Sequence, residues 1–151
     1  MSTSLVALSE AVEQKVIAYF ESKQANGLLG QEDWGVYYGD QQKLPKRITA
    51  CIEPNTKITD LTGATRMVDR RYEVFVILYF TAVQSGQLNR REVDTISEEI
   101  ETYLNTDPRL SGEVIHSYVT ELASGYSTKD GALVKSSRLT FTAISKDRLP
   151  S

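Results

Sequence analysis

The segment Tyr72-Glu73-Val74-Phe75-Val76-Ile77-Leu78-Tyr79-Phe80 limits the fold of this chain more than any other. With the two-residue period of a strand, Val74, Val76, Leu78 and Phe80 share one side, and Phe75, Ile77 and Tyr79 share the other. Both sides are apolar, so the strand belongs in a sheet that is covered on each face. One cover is present in the first segment. Leu5, Leu8, Val12, Val16, Tyr19 and Phe20 recur at steps of three and four, with Ile17 on the flank and Glu10, Glu13, Gln14 and Glu21 largely opposite. Ser2, Thr3 or Ser4 can cap this amphipathic helix, and Asn26-Gly27 supplies residues that end helices. The other face then needs a second helix or another subunit.

The remaining segments supply neighbours for that strand. Trp34-Gly35-Val36-Tyr37-Tyr38 is a short aromatic strand, and Gly39-Asp40 turns the chain. From Arg47 the residues alternate, with Ile48, Ala50 and Ile52 on one face and Arg47, Thr49, Cys51 and Glu53 on the other. Pro54-Asn55 is expected to end this strand. A polar stretch follows from 54 to 66, reaching with its flank to about 70, and it exceeds the usual hairpin loop of two to five residues. Such a stretch is functional, mobile, or an extension of both strands into a projecting arm. The next strand runs from about Met67 to Thr81, and Gln84-Ser85-Gly86 breaks it.

A second helix begins near Asn89, which with Glu92 makes a capping-box-like pair. Val93, Ile96, Ile100 and either Tyr103 or Leu104 form its apolar stripe, which leaves Glu98, Glu99 and Glu101 on the solvent side. Asn105-Thr106-Asp107-Pro108 ends it, because proline disfavours a helical residue before it. The last third reads as a long hairpin, Glu113 to Tyr126 and Ala132 to Ser145, around the turn Lys129-Asp130-Gly131. Leu139, Phe141 and Ala143 share one face, and a short polar tail starts at Lys146. The order is helix, strand hairpin with a long loop, helix, strand hairpin. It predicts one α+β domain over residues 1–151, with a mixed or antiparallel sheet packed by two helices.

Composition narrows the function. A chain of 151 residues buries roughly 70% of its unfolded surface, enough for a core without staples. A net charge of −3 gives no bulk attraction to nucleic acid or anionic membrane. No apolar run approaches the roughly 20 residues of a membrane-spanning helix. The start Met1-Ser2-Thr3-Ser4, with Glu10 and Glu13 soon after, lacks the basic region of a signal or transit peptide, so a cytoplasmic product, or a particle assembled in cytoplasm, is expected.

Candidate catalytic residues are few. His116, the only histidine, sits in a strand pattern beside Val114 and Tyr118 and reads as structural. No Gly-x-Ser-x-Gly elbow accompanies it, and there is no phosphate-cradling glycine motif. Cys51 is the single cysteine; it reads as a small half-buried strand residue rather than a reactive thiol or part of a cysteine metal site. Glu98, Glu99 and Glu101 read as a solvated face rather than a cation site, and Asp107 as a turn residue. Arg70-Arg71 and Arg90-Arg91 read as solvent-facing or paired with Asp69, Glu73 or Glu92 rather than as phosphate contacts. A ligand-binding domain would have to use Trp34, Tyr37, Tyr38 and His116 around a pocket. No catalytic, cofactor or metal residues are assigned, and the expectation is a protein without enzymatic activity. Eight tyrosines and one tryptophan instead supply anchors of the kind that interfaces use.

In its order of elements the chain resembles the tail terminator (tail completion) proteins of long-tailed bacteriophages. The likeness spans nearly the whole chain and is one of pattern. It rests on the helix Leu5 to Phe20, the strand Lys46-Arg47-Ile48-Thr49-Ala50-Cys51-Ile52, the central strand Tyr72 to Phe80, the helix Arg91 to Leu104 leading to Asp107-Pro108-Arg109-Leu110, and the hairpin Val114 to Ser145. The resemblance implies a virion subunit, assembled in the host cytoplasm, that forms a hexameric ring. Such a ring caps the tail tube, stops its growth and meets the head-side connector, while DNA passes through the lumen unread. Another head–tail connector or neck protein is the alternative. Residues 54–70 would then be the arm that reaches a neighbour, with Lys57, Asp60, Arg66, Asp69 and Arg70 making its polar contacts.

Overall fold

The computed structural model describes residues 4–30, 32–62, 67–81, 90–107 and 116–148. Helix α1 (Leu5–Ala25) starts at Ser4, whose extended backbone lets its Oγ accept from the Ala7 N–H at 3.0 Å. It ends where Asn26 leaves the helical path and Gly27 takes φ +75°. Helix α2 spans Arg90–Asn105, and the residue expected to cap it, Asn89, lies outside the described residues.

Five strands, β1 (Trp34–Tyr38), β2 (Ile48–Thr62), β3 (Met67–Phe80), β4 (His116–Lys129) and β5 (Ala132–Arg148), form one sheet in the order β1-β2-β3-β5-β4. Every pairing is antiparallel except β1 with β2, which is parallel. The α+β class and the two-helix, mixed-sheet architecture are therefore as the sequence predicts. Between β4 and β5, Asp130 (φ 51°) and Gly131 (φ 79°) make a two-residue hairpin loop with both residues in the left-handed region.

Both helices lie on the same face of the sheet. Leu8, Val12, Val16 and Phe20 from α1 and Val93, Ile100 and Leu104 from α2 join one core with Ile48, Ala50, Ile52, Val74, Val76, Leu78, Phe80 and Phe141. Two helices side by side are needed because a five-stranded sheet is wider than one helix (neighbouring strands lie about 4.8 Å apart and a helix is about 10 Å across). Ser97 is buried among these residues and is satisfied by bonds to the Val93 carbonyl and the Ser137 hydroxyl, at 3.0 and 2.9 Å.

The second face is covered differently from the expectation of a second helix or a subunit. Residues 39–47, which connect β1 to β2, run back across it. Leu44 packs there against Cys51, Tyr79 and Val134, with Ile77 beside them. A parallel pair requires such a crossover, because its strands start at the same end.

The described parts of the polar stretch, 54–62 and 67–70, are strand, as the reading of an extension of both strands allows. Past a bulge between Pro54 and Thr56 the pairing resumes and runs from Thr56 opposite Glu73 to Thr62 opposite Met67. Pro54 does not end β2, because β1 stops opposite Ile52 and leaves β2 an edge strand from there on. Nor is 146–148 a free tail: Lys146, Asp147 and Arg148 pair with Asp69, Val68 and Met67. Phe141, with no exposed surface, packs at the centre of the helix-covered core. Phe141→Ala is expected to lower the stability read from urea unfolding by about 3–5 kcal/mol. In hydrogen exchange, laddered amides within 57–61 and 68–71 are expected to be protected; loop-like exchange there would contradict the pairing.

Candidate assembly surface

Beyond Tyr72 the sheet continues without its helices. None of residues 53–71 or 144–148 joins the helix-packed core. Among the described residues β2, β3 and β5 continue there, and β4 is described from His116, opposite Ile144. The result is a three-stranded arm whose backbone is laddered rather than free. Alternation gives it two unlike sides. On β2 and β3, the side continuous with the helix face carries Lys57, Leu61, Arg70 and the buried Val68 and no carboxylate, while the other carries Ile58, Asp60, Asp69 and Arg71. Leu61 is 65% exposed.

The sequence-predicted contact residues are thus divided. Lys57 lies 5.7 Å over the Tyr72 ring, and Arg70 is half-buried on the same side. Asp60 stands opposite Asp69 across the ladder, an unfavourable pairing of like charges that Lys146 offsets from 3.5 Å away from Asp69. Arg66 lies outside the described residues.

At the other end of the same strands the two helices leave a groove between them. Phe20 stacks on Trp34, which is level with Ile48 and Phe80 in the register, so the C-terminal half of α1 sits far from the arm. Lys135, also level with Phe80, approaches Asp94 at 3.8 Å and brings the N-terminal half of α2 to that end. In the groove, the Tyr19 hydroxyl donates to Glu99 Oε1 at 2.8 Å, and Lys23 Nζ lies 2.9 and 3.1 Å from the two Glu99 oxygens. Lys23 and the Tyr19 hydroxyl hold the Glu99 carboxyl below the usual carboxylate range, while burial and Glu99 push the Tyr19 phenol up. Glu99 was expected on the solvated side; it is half-buried because Lys23 and Tyr19 reach it from α1. One lobe, about 480 Å³, is lined by Tyr19, Lys23, Thr95, Glu98 and Tyr103 among others. A second, about 400 Å³, shares Lys23, Thr95 and Glu99 and adds Leu28, Leu29 and Ile96 together with Arg91 and Glu92. Leu28 is 65% exposed.

The face away from the helices is mixed in character. Asp40, in the crossover, accepts from the Tyr79 hydroxyl and from Lys129 Nζ, both at 2.8 Å, and Lys129 also lies 4.6 Å over the Tyr79 ring. These contacts fasten the crossover to the sheet. Arg138 lies 4.8 Å over the Phe75 ring and 3.2 Å from Glu121. Cys51 is buried, and desolvation pushes its thiol up to about 11, so the nucleophilic thiolate is scarce near neutrality.

The four residues that a ligand pocket would need do not meet. Trp34 belongs to the core, stacked on Phe20 and donating to Gln24 at 3.0 Å. Tyr38 is exposed beside α1, and Tyr37 alternates to the opposite face. His116 is on β4, the far edge of the sheet from β1. It is exposed near Tyr118, so it is a surface residue rather than a core one. Asp107 pairs with Lys15 at 3.2 Å, a contact between segments that the turn reading missed. Of the two arginine pairs, Arg71 and Arg91 are exposed, and the Arg90 side chain lies outside the description. Among the described residues no group of His, Cys, Asp or Glu is placed to hold a metal ion, and no helix is long and apolar enough to cross a membrane.

The chain matches no protein-family model and no curated protein.

Asp40 gives this surface a measurable pH dependence. Although its own burial opposes it, the bonds from Lys129 and Tyr79 lower its folded pKa below the unfolded value. Its contribution is therefore complete above about pH 4 and is lost as pH falls further, in proportion reduced by solvent screening. Asp40→Asn is expected to remove that dependence and, by leaving the buried Lys129 ammonium without its counter-charge, to cost about 1–3 kcal/mol in urea at pH 7. Equal acid sensitivity of the two proteins would contradict the assignment.

Proposed function

We propose that this chain is a structural subunit of a bacteriophage tail, one that closes with copies of itself into a ring, caps the tail tube and joins it to the head-side connector. The observation that carries the reading is the three-stranded arm. Ordering a residue's backbone costs about 1–2 kcal/mol, and a core normally offsets it. The arm adds nothing to the helix-packed core, yet presents Ile58 and Leu61 to solvent on laddered strands. A laddered projection that shows Leu61 on one side and Ile58 on the other is suited to a partner surface, because little backbone entropy remains to be lost on binding.

A ring follows if the contact is head-to-tail and its rotation closes, since each subunit then offers one surface and receives a different one. Six subunits are the number the resemblance implies. In such a particle DNA would pass through the lumen without being read, and the net charge of −3 accords with an absence of general affinity for it. The dispersal of Trp34, Tyr37, Tyr38 and His116 weighs against the ligand-binding alternative.

The test is to mix purified protein with tail-tube protein and with the portal-side connector, then image negatively stained complexes. A terminator is expected as a ring at tube ends that prevents further elongation. Binding to the portal side alone would assign the chain to the neck instead, and binding to neither would overturn the reading.

A further inference from the structure

We infer that the arm of one copy seats in the α1–α2 groove of the next, with Leu61 entering the apolar lobe and Lys57 meeting Glu98. This rests on the reading that the chain assembles with itself, and it names the two surfaces that meet.

Three features select a second copy as the occupant. The first is position: the arm and the groove lie at opposite ends of the same strands, so the groove of one protomer can receive the arm of another without the two surfaces competing. That is the arrangement a heterologous contact requires. The second is charge. The two lobes of the groove are lined by Glu92, Glu98 and Glu99 against Lys23 and Arg91, whereas the helix side of the arm on β2 and β3 carries Lys57 and Arg70 and no carboxylate. Within the groove Lys23 is engaged by Glu99, while Glu98 lines the same lobe from an exposed position. The third is apolar fit. Leu61 and Leu28 are the two most exposed large aliphatic side chains described, each 65% exposed, and one stands on the arm while the other lines the groove beside Leu29 and Ile96. Burying each against the other removes both from water. Tyr19 and Tyr103 add aromatic faces to the acidic lobe, a surrounding that favours an ammonium group.

The contact is tested by exchanging charge at exposed positions. The groove variant carries Thr95→Lys and Glu98→Lys; the arm variant carries Lys57→Glu and Thr59→Glu. Sedimentation velocity compares the unaltered chain, each variant and their equimolar mixture, in the presence and absence of tail-tube ends. Each variant alone is expected to self-associate at least about tenfold more weakly than the unaltered chain. The mixture is expected to recover assembly, because an acidic arm then meets a basic groove; recovery also shows that both variants are folded. Variants that assemble like the unaltered chain, or a mixture no better than its parts, would overturn the arm–groove contact and leave the ring reading standing. An unaltered chain that stays monomeric even with tube ends would remove both.

Discussion

Strand β3 carries apolar side chains on both faces along its inner half, so the sheet around it has to be shielded twice, and the two shields are unlike. On one face α1 and α2 lie side by side and bury Val74, Val76, Leu78 and Phe80 completely. On the other, the crossover of residues 39–47 covers one end through Leu44 and the Asp40–Tyr79–Lys129 contacts. Farther along, the Arg138 guanidinium lies over Phe75 and shields it while its own charge stays in water. Thr140 and Thr142 line the neighbouring strand and are mostly buried. This division fixes much else. With both helices committed to one face, a groove between them is unavoidable, and Glu92, Glu98 and Glu99 line it with Lys23 and Arg91.

Where the helices stop, the sheet does not. The ladders from Thr56 to Thr62, Met67 to Arg71 and Ile144 to Arg148 hold one another in register without a helix packed on them. The bulge after Pro54 marks the transition from a strand flanked on both sides to one with a bare edge, and it increases the local twist. An edge of this kind invites further pairing. The opposed Asp60 and Asp69, with Lys146 close by, place charge on one side of the arm and discourage indiscriminate strand addition there. On β2 the other side carries Lys57 and Leu61.

Elements with a strong period were legible in the sequence. The stripe Leu8-Val12-Val16-Tyr19-Phe20 and the alternation Leu139-Phe141-Ala143 gave the correct buried faces, because one-dimensional spacing determines which side chains share a face. The Asp130-Gly131 turn was legible because its chemistry is local. What was missed depended on pairing. Pro54 and the polar residues after it left a loop and a projecting extension of both strands equally open; the described ones form strand because β3 supplies the ladder. Glu99 looked solvated on its own helix, and only the approach of α1 makes it a partner of Lys23 and Tyr19. The predicted contact set Lys57, Asp60, Asp69 and Arg70 came from one stretch of chain, but alternation sends its members to two sides. No pattern along the sequence brings the groove and the arm to opposite ends of the sheet, since that placement comes from the direction in which α1 and α2 cross it.

The physical content of the account is that exposed apolar side chains on a rigid arm and in an interhelical groove are matched between molecules rather than within one. The thermal unfolding midpoint as a function of protein concentration tests this most directly, because association through folded surfaces adds a mass-action term to stability. Between about 1 and 100 μM the account predicts a midpoint that climbs with concentration. A midpoint that stays constant across that range, with tail-tube ends present as well as without them, would contradict it.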